Sequence, residues 1–193
     1  MVLCKKPLIA YGQNLIDKSY CEDIISYSQD KFIQSRAYSE ELNHHTTDEW
    51  RTSSTFIDHS DYCNRLRLIT LDVAKDNFPN YNINLANIEL TQIQRYNINQ
   101  HYMYHCDYFN FGRQIVDNDR IATLIFYLND TFTGGETFFN RLNIKVKPIQ
   151  GSALFFAYNY DRETNVTTEH SGEKVLHGVK YIATCWIRQF PFN

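Results

Sequence analysis

The stretch Val179-Lys-Tyr-Ile-Ala-Thr-Cys-Trp-Ile-Arg188 decides the fold class. It holds no Gly or Pro, is rich in β-branched and aromatic residues, and its positions sort into two alternating sets, as on a β-strand. Val179, Tyr181, Ala183, Cys185 and Ile187 form one face, the expected core side. Lys180, Ile182, Thr184, Trp186 and Arg188 form the other. Lys180 and Trp186 on that second face either decorate a solvated surface or line a cleft. In a cleft the ammonium needs an anionic partner, because an unpaired ammonium out of water costs several kcal/mol. A ligand carboxylate would meet that need.

Moving outward, similar short runs precede it: Ile88-Glu-Leu-Thr-Gln-Ile-Gln-Arg-Tyr96, Ile121 to Leu128, Ile144 to Val146 and Ala153 to Tyr158. Turn signals separate them at Asn129-Asp130, Gly134-Gly135, Pro148 to Gly151 and Ser171-Gly172. Many short strands at this spacing predict an α+β, mainly β fold with an antiparallel sandwich or jelly-roll core. The N-terminal third reads as helices with loops, packed on one outer face. Asn14 or Asp17 starts a helix with apolar positions Leu15, Cys21, Ile24, Ile25 and Phe32. A second helix follows Asp58 and Ser60, presents Tyr62, Leu66, Ile69, Val73 and Phe78, and ends before Pro79. Between the helices, Glu40 to Trp50 is polar and reads as a connection or as a lid over a site. The expected organisation is one domain over residues 1–193, with a helical support region and loop at 1–87 and the β core at 88–193.

Composition sets the outer limits. A chain of 193 residues and 22.9 kDa can bury roughly 70% of its unfolded surface without staples. With 43% hydrophobic, 21% charged and 15% aromatic residues and only seven Gly, low-complexity and disordered readings are excluded. A net charge of −3 gives no basic footprint, so nucleic acid and anionic membrane are not expected as partners. Five cysteines without a Cys-x-x-Cys pair point to reduced thiols in an intracellular, cytoplasmic setting. The apolar run near the N-terminus, broken by Pro7, is too short for a signal sequence or a membrane span.

Redox metal chemistry commonly uses two His and one carboxylate on one face of an iron ion, leaving positions open for substrate and oxygen. On a strand, residues i and i+2 point the same way, so His-x-Asp supplies two of the three from one segment. The pattern occurs at His59-Ser60-Asp61 and at His105-Cys106-Asp107. The first lies where a helix starts, where Asp61 favours the helix's positive end and His59 stays on the surface. The second lies among β-formers, so His105 and Asp107 share a face opposite Cys106. A third ligand comes from elsewhere, and His170, His177, His101, His44 and His45 remain. His101 precedes His105 by four, but the metalloprotease Glu is missing and the region reads as strand. His44 and His45 belong to the polar loop, whereas His170 and His177 flank the turn before the last strand.

These pieces together resemble the catalytic domain of the prolyl 4-hydroxylase branch of the 2-oxoglutarate and iron(II)-dependent dioxygenases. The resemblance rests on Tyr96 through His105-Cys-Asp107-Tyr-Phe, Arg120-Ile-Ala-Thr-Leu-Ile-Phe-Tyr-Leu-Asn129, Gly134-Gly-Glu-Thr137-Phe, Val146-Lys-Pro-Ile-Gln-Gly151-Ser-Ala-Leu-Phe-Phe156, and His170-Ser-Gly-Glu-Lys-Val175 through Lys180 and Trp186. They stand in register over about half the chain, and Arg51-Thr-Ser53 matches more loosely upstream. The resemblance implies a double-stranded β-helix core and makes His105, Asp107 and His170 the iron ligands and catalytic centre. It assigns Lys180, Tyr96 and Thr137 to the distal carboxylate of 2-oxoglutarate, and Arg120 and Trp186 to the substrate end of the cleft. It demotes His177 to a loop residue. The implied activity couples oxidative decarboxylation of 2-oxoglutarate, giving succinate and carbon dioxide, to C–H hydroxylation of a peptide or protein proline. Fe(II), 2-oxoglutarate and O2 are required, with ascorbate as reductant. The segment between Tyr96 and His105 lacks the family's usual glycines and proline, and Asn110 to Asp119 is a linker of the chain's own and a second candidate lid. Hydroxylation of another side chain or of a small molecule is the near alternative. A non-catalytic jelly-roll metal-binding or ligand-binding module is the distant one.

Overall fold

The structure is a computed structural model that describes residues 1–35, 37–39, 44–46, 50–60, 62–109 and 117–192, with backbone alone at 37–39 and 44–46. Two antiparallel sheets carry the architecture. The larger has eight strands in the order β1 (Val2–Lys5), β2 (Leu8–Gly12), β13 (Ala153–Ala157), β9 (Arg120–Tyr127), β16 (Lys180–Arg188), β7 (Gln92–Tyr96), β6 (Ser54–Ile57) and β3 (Ile33–Gln34). The smaller has four, β12 (Ile144–Val146), β11 (Thr137–Phe139), β14 (His170–Gly172) and β8 (Tyr102–His105). Two short ribbons complete the set, β10 (Thr133–Gly134) with β15 (Val175–His177) and β4 (Ala37–Ser39) with β5 (His44–Thr46). The jelly-roll expectation holds.

Alternation along the central strands builds a core on each face of the large sheet. On β9 and β13, Ile125, Tyr127, Leu154 and Phe156 point toward the small sheet and meet Phe139 and Val146 there. Leu124, Phe126, Phe155 and Ala157 point the other way, against the helices. The last strand therefore has no solvated face: Ala183, Cys185 and Ile187 bury under the helices, while Lys180 and Ile182 bury between the sheets. Of the two readings of the Lys180 face the structure has the covered one, because a strand central to a sheet sandwiched between a second sheet and helices is covered on both sides.

Helix α1 (Lys18–Ser28) follows its N-cap Asp17 and buries Cys21 and Ile24. Helix α2 (Asn64–Asn77) buries Leu66, Thr70, Leu71 and Ala74, and its backbone turns out at Phe78 before Pro79. Asp58 starts it from a distance, its carboxylate accepting from the backbone N–H of Cys63 at 2.6 Å and of Ser60 at 3.0 Å. Tyr62, expected on the buried stripe, is exposed and stacks on Tyr27 instead.

The N-terminal third departs from the helical reading by supplying strands to the large sheet. β2 pairs with β13 from Ala153↔Gly12 to Phe156↔Ile9, and β6 pairs with β7. Those partners lie far away in sequence, so no local periodicity announces the pairing. Within the polar segment Glu40 to Trp50, His44 and His45 sit on a strand of the small hairpin, and residues 40–43 and 47–49 lie outside the described residues. The same is true of 110–116 in the Asn110 to Asp119 linker. Among the described residues no helix is long and apolar enough to cross a membrane.

Candidate metal centre

Strands β8 and β14 are neighbours in the small sheet, and their register sets His170 opposite His105. Cross-strand partners place their side chains within about 5 Å of one another, and the two imidazole centroids are 4.3 Å apart. The strand ends at His105, so Asp107 lies in the bend beyond it. The bend still returns the carboxylate, whose Oδ1 is 3.5 Å from His105 Nε2 and whose Oδ2 is 4.0 Å from His170 Nε2. One donor atom from each of the three residues lies within 4.8 Å of the others.

Both imidazoles are oriented from behind. His105 Nδ1 meets the Met103 carbonyl at 2.8 Å and His170 Nδ1 meets the Thr168 carbonyl at 3.0 Å. A carbonyl only accepts, so each Nδ1 carries the proton and each Nε2 presents its lone pair to the centre. Tyr102 stacks on His105 at 3.6 Å, and Phe139 and Phe156 flank His170. Burial and the neighbouring His105 push the His170 pKa down to about 4, which keeps it a neutral ligand. Two neutral nitrogens and one carboxylate oxygen converging on one point suit a divalent iron ion, with further positions left for other ligands.

Lys180 lies 1% exposed in the space between the sheets. Its Nζ donates to the Gly135 carbonyl at 2.7 Å and sits 5.0 Å from the centre of the Tyr96 ring. Gly135 has φ +67°, and a Cβ there would meet the Lys180 Cδ at 3.1 Å, so only glycine fits this turn against the lysine. No ion-pair partner for Lys180 occurs among the described residues, and burial lowers its pKa to about 8. Tyr96 is its cross-strand neighbour. Thr137 Oγ1 is 2.8 Å from Tyr127 Oη in the same inter-sheet core. An ammonium with unused donors and no ion-pair partner among the described residues suits an anionic group, and it lies close enough to His170 for its charge to depress that imidazole.

Arg120 and Trp186 stand behind Asp107. The Arg120 guanidinium grips Glu89 through two bonds of 2.7 and 2.8 Å, donates to the Asp107 carbonyl at 3.1 Å, and lies 3.9 Å from the Trp186 ring centre. Arg188 binds the same Glu89 at 2.5 Å, and Phe109 covers both guanidiniums. Three of the five Arg120 donors are thus committed within the protein. Glu89, Arg188, Thr123 and Tyr158 were not singled out by the sequence. Thr123 Oγ1 donates to Asp107 Oδ2 at 2.7 Å and lies 3.0 Å from Tyr158 Oη. Beside this cluster is a cavity of about 340 Å³ lined by Tyr81, Tyr108, Arg120, Tyr158, Tyr160 and Arg162 among others.

The remaining candidates stay apart. His59 is exposed near the start of α2, and Asp61 lies outside the described residues. His177 is exposed on β15, a short strand where a loop was expected. His101 precedes β8, with its Nδ1 3.5 Å from the Asn99 carbonyl, and is not among the three residues that converge. Arg51, which matched only loosely, is buried, with its guanidinium over Tyr102 at 4.6 Å and a bond to Gln92 at 3.1 Å.

Comparison with known proteins follows the same geometry. The family described as the 2OG-Fe(II) oxygenase superfamily matches residues 91–188, about half the chain. A putative prolyl 4-hydroxylase of Acanthamoeba polyphaga mimivirus is 29% identical over 97% of this chain and 76% of its own length. Prolyl 4-hydroxylase subunit alpha-2 of Caenorhabditis elegans is 36% identical over 56% of this chain, which spans only 21% of that longer relative. Among solved structures, the viral collagen prolyl hydroxylase of Paramecium Bursaria Chlorella virus-1 in its 2OG complex has the same fold. It superposes with a TM-score of 0.74 at 23% identity, covering 97% of this chain and 99% of that one.

Proposed function

The chain belongs to the 2OG-Fe(II) oxygenase superfamily, and from that membership we propose that it is a prolyl 4-hydroxylase acting on proline within a peptide or protein. The observation that carries the reading is the convergence of His105, Asp107 and His170 within 4.8 Å, beside a buried lysine that has no counter-ion among the described residues. Iron(II) held by those three side chains supplies the chemistry that couples decarboxylation of 2-oxoglutarate to hydroxylation of a C–H bond.

The protein's own residues bind, orient and exclude water. Lys180 pairs with the far carboxylate of the cosubstrate, and the Tyr96 and Thr137 hydroxyls share that group, so the distance between the lysine and the metal ligands selects a diacid by length. The aromatic rings around His105 and His170 keep bulk water from the reacting centre. Carbonyl contacts at both Nδ1 atoms fix the two rings, so the ligand atoms need no reorganisation when the metal arrives.

A polypeptide substrate fits the rim. Met103, two residues before His105 on β8, and Phe109, two after Asp107, are exposed, and aromatic-lined surfaces receive extended, proline-rich segments. The test is succinate release measured against proline-rich peptides, free amino acids and nucleic acids, with mass spectrometry of each product. One oxygen added to a prolyl residue supports the reading. Turnover confined to a free amino acid or a nucleic acid overturns the peptide assignment.

A further inference from the structure

The hydroxyls of Thr123 and Tyr158 belong to no ligand contact described so far, yet they form a chain that ends on Asp107. Thr123 lies on β9 with Ile125 and Tyr127 on its inward face, and is fully buried. A threonine hydroxyl has one hydrogen, and a metal-ligating carboxylate only accepts. The 2.7 Å contact to Asp107 Oδ2 therefore uses that hydrogen. The 3.0 Å contact between Thr123 Oγ1 and Tyr158 Oη then has a single allowed direction, with Tyr158 donating. Tyr158 is 3% exposed, held between Tyr108 and Phe156, and lines the cavity beside the centre.

We propose that Thr123 and Tyr158 are positioning residues forming a hydroxyl relay that ties up Oδ2, so that Asp107 presents Oδ1 alone to the metal. The consequence is chemical. A carboxylate that ligates through both oxygens occupies one more position, and a centre that must also accept a two-point oxo acid and oxygen has none to spare. Arg120 anchors the same residue at its carbonyl, 3.1 Å away, so backbone and side chain of Asp107 are held independently. The relay rests on the reading of His105, Asp107 and His170 as a metal centre.

The test is anaerobic Co(II) titration of the intact chain, following both affinity and the visible absorption of the bound ion, with melting temperature as a check on folding. Outer-sphere partners are worth roughly 10- to 100-fold in metal affinity. Thr123→Val, which keeps shape and removes the hydroxyl, is expected to weaken Co(II) by about that factor and to alter its absorption. Thr123→Ser, which keeps the hydroxyl, retains wild-type affinity and spectrum. Tyr158→Phe weakens binding less, and adding it to Thr123→Val costs nothing further, because the relay is already broken. Wild-type affinity and spectrum in Thr123→Val overturn the relay while leaving the metal centre intact. So does a Thr123→Ser variant as weak as Thr123→Val, or fully additive losses in the double variant. Failure of the wild-type chain to bind Co(II) removes the metal centre itself and the relay with it.

Discussion

Replacing Lys180 with Met separates two effects of opposite sign. The ammonium is 1% exposed and donates to the Gly135 carbonyl at 2.7 Å. Burial lowers its pKa from 10.5 to about 8. A lysine that gives up its proton more readily when folded is destabilising while charged. The unfolded chain binds the extra proton between pH 8 and 10.5, so the ligand-free protein gains stability as pH rises through that window. Below it, the whole penalty is present, about 3 kcal/mol at about 1.4 kcal/mol per pKa unit. Methionine removes that penalty but leaves the Gly135 carbonyl without its donor, at about 1–3 kcal/mol. The ligand-free Lys180→Met protein should therefore melt at the wild-type temperature or up to about 6 °C above it. Its affinity for 2-oxoglutarate should fall by about 10- to 150-fold, the value of one charge-assisted contact at about 1.5–3 kcal/mol. Calorimetric melting of the apo protein and titration of 2-oxoglutarate onto Mn(II)-loaded protein read the two effects separately. Wild-type cosubstrate affinity in Lys180→Met would refute the role of the lysine, and a melting temperature lowered by many degrees would show that its charge is compensated in the folded protein beyond the Gly135 contact.

The same lysine predicts that 2-oxoglutarate affinity is flat below pH 8 and weakens about tenfold by pH 9, because a neutral amine cannot pair with the carboxylate; a flat profile across that range contradicts it. His59→Ala should leave metal binding and turnover unchanged, whereas His170→Ala should abolish both, and loss of metal in the His59 variant would identify the other His-x-Asp as the centre. Glu89→Gln strips two buried guanidiniums of their counter-charge and should cost about 3–5 kcal/mol, a fall in melting temperature of roughly 10 °C. Melting unchanged within a degree or two would show that Arg120 and Arg188 find charge compensation elsewhere.

What the sequence reveals here depends on how locally each feature is encoded. His-x-Asp at 105–107 is a local device, although its carboxylate reaches the centre from the bend after β8 rather than by strand alternation. His170 joins them only because β14 pairs with β8, a contact spanning 65 residues between His105 and His170, which no periodicity encodes. The resemblance to a known family supplied it. The end strands β1 and β2 were invisible for a related reason: Leu8–Gly12 is short, and its place in the sheet is set by β13 near the far end of the chain. Glu89, Arg120 and Arg188 form an ion cluster from three segments, and each alone reads as ordinary surface charge. Thr123 is hidden most completely, a hydroxyl inside the apolar run Ile121 to Leu128 whose meaning appears only when Asp107 is seen across from it. Lys180 was legible in part, since a lysine within a strand of core character demands an explanation, and its burial between the two sheets provides one.

The central claim is that one iron ion and one 2-oxoglutarate molecule are held together by His105, Asp107, His170 and Lys180. Anaerobic addition of Fe(II) followed by 2-oxoglutarate, monitored in the visible region, tests this most directly. A weak metal-to-ligand charge-transfer band that saturates at one equivalent of each is expected. The band should be missing in Asp107→Asn and should need much higher 2-oxoglutarate in Lys180→Met. A folded, iron-loaded wild-type protein that develops no band would contradict the claim, and would leave a jelly-roll binding module in place of an oxygenase.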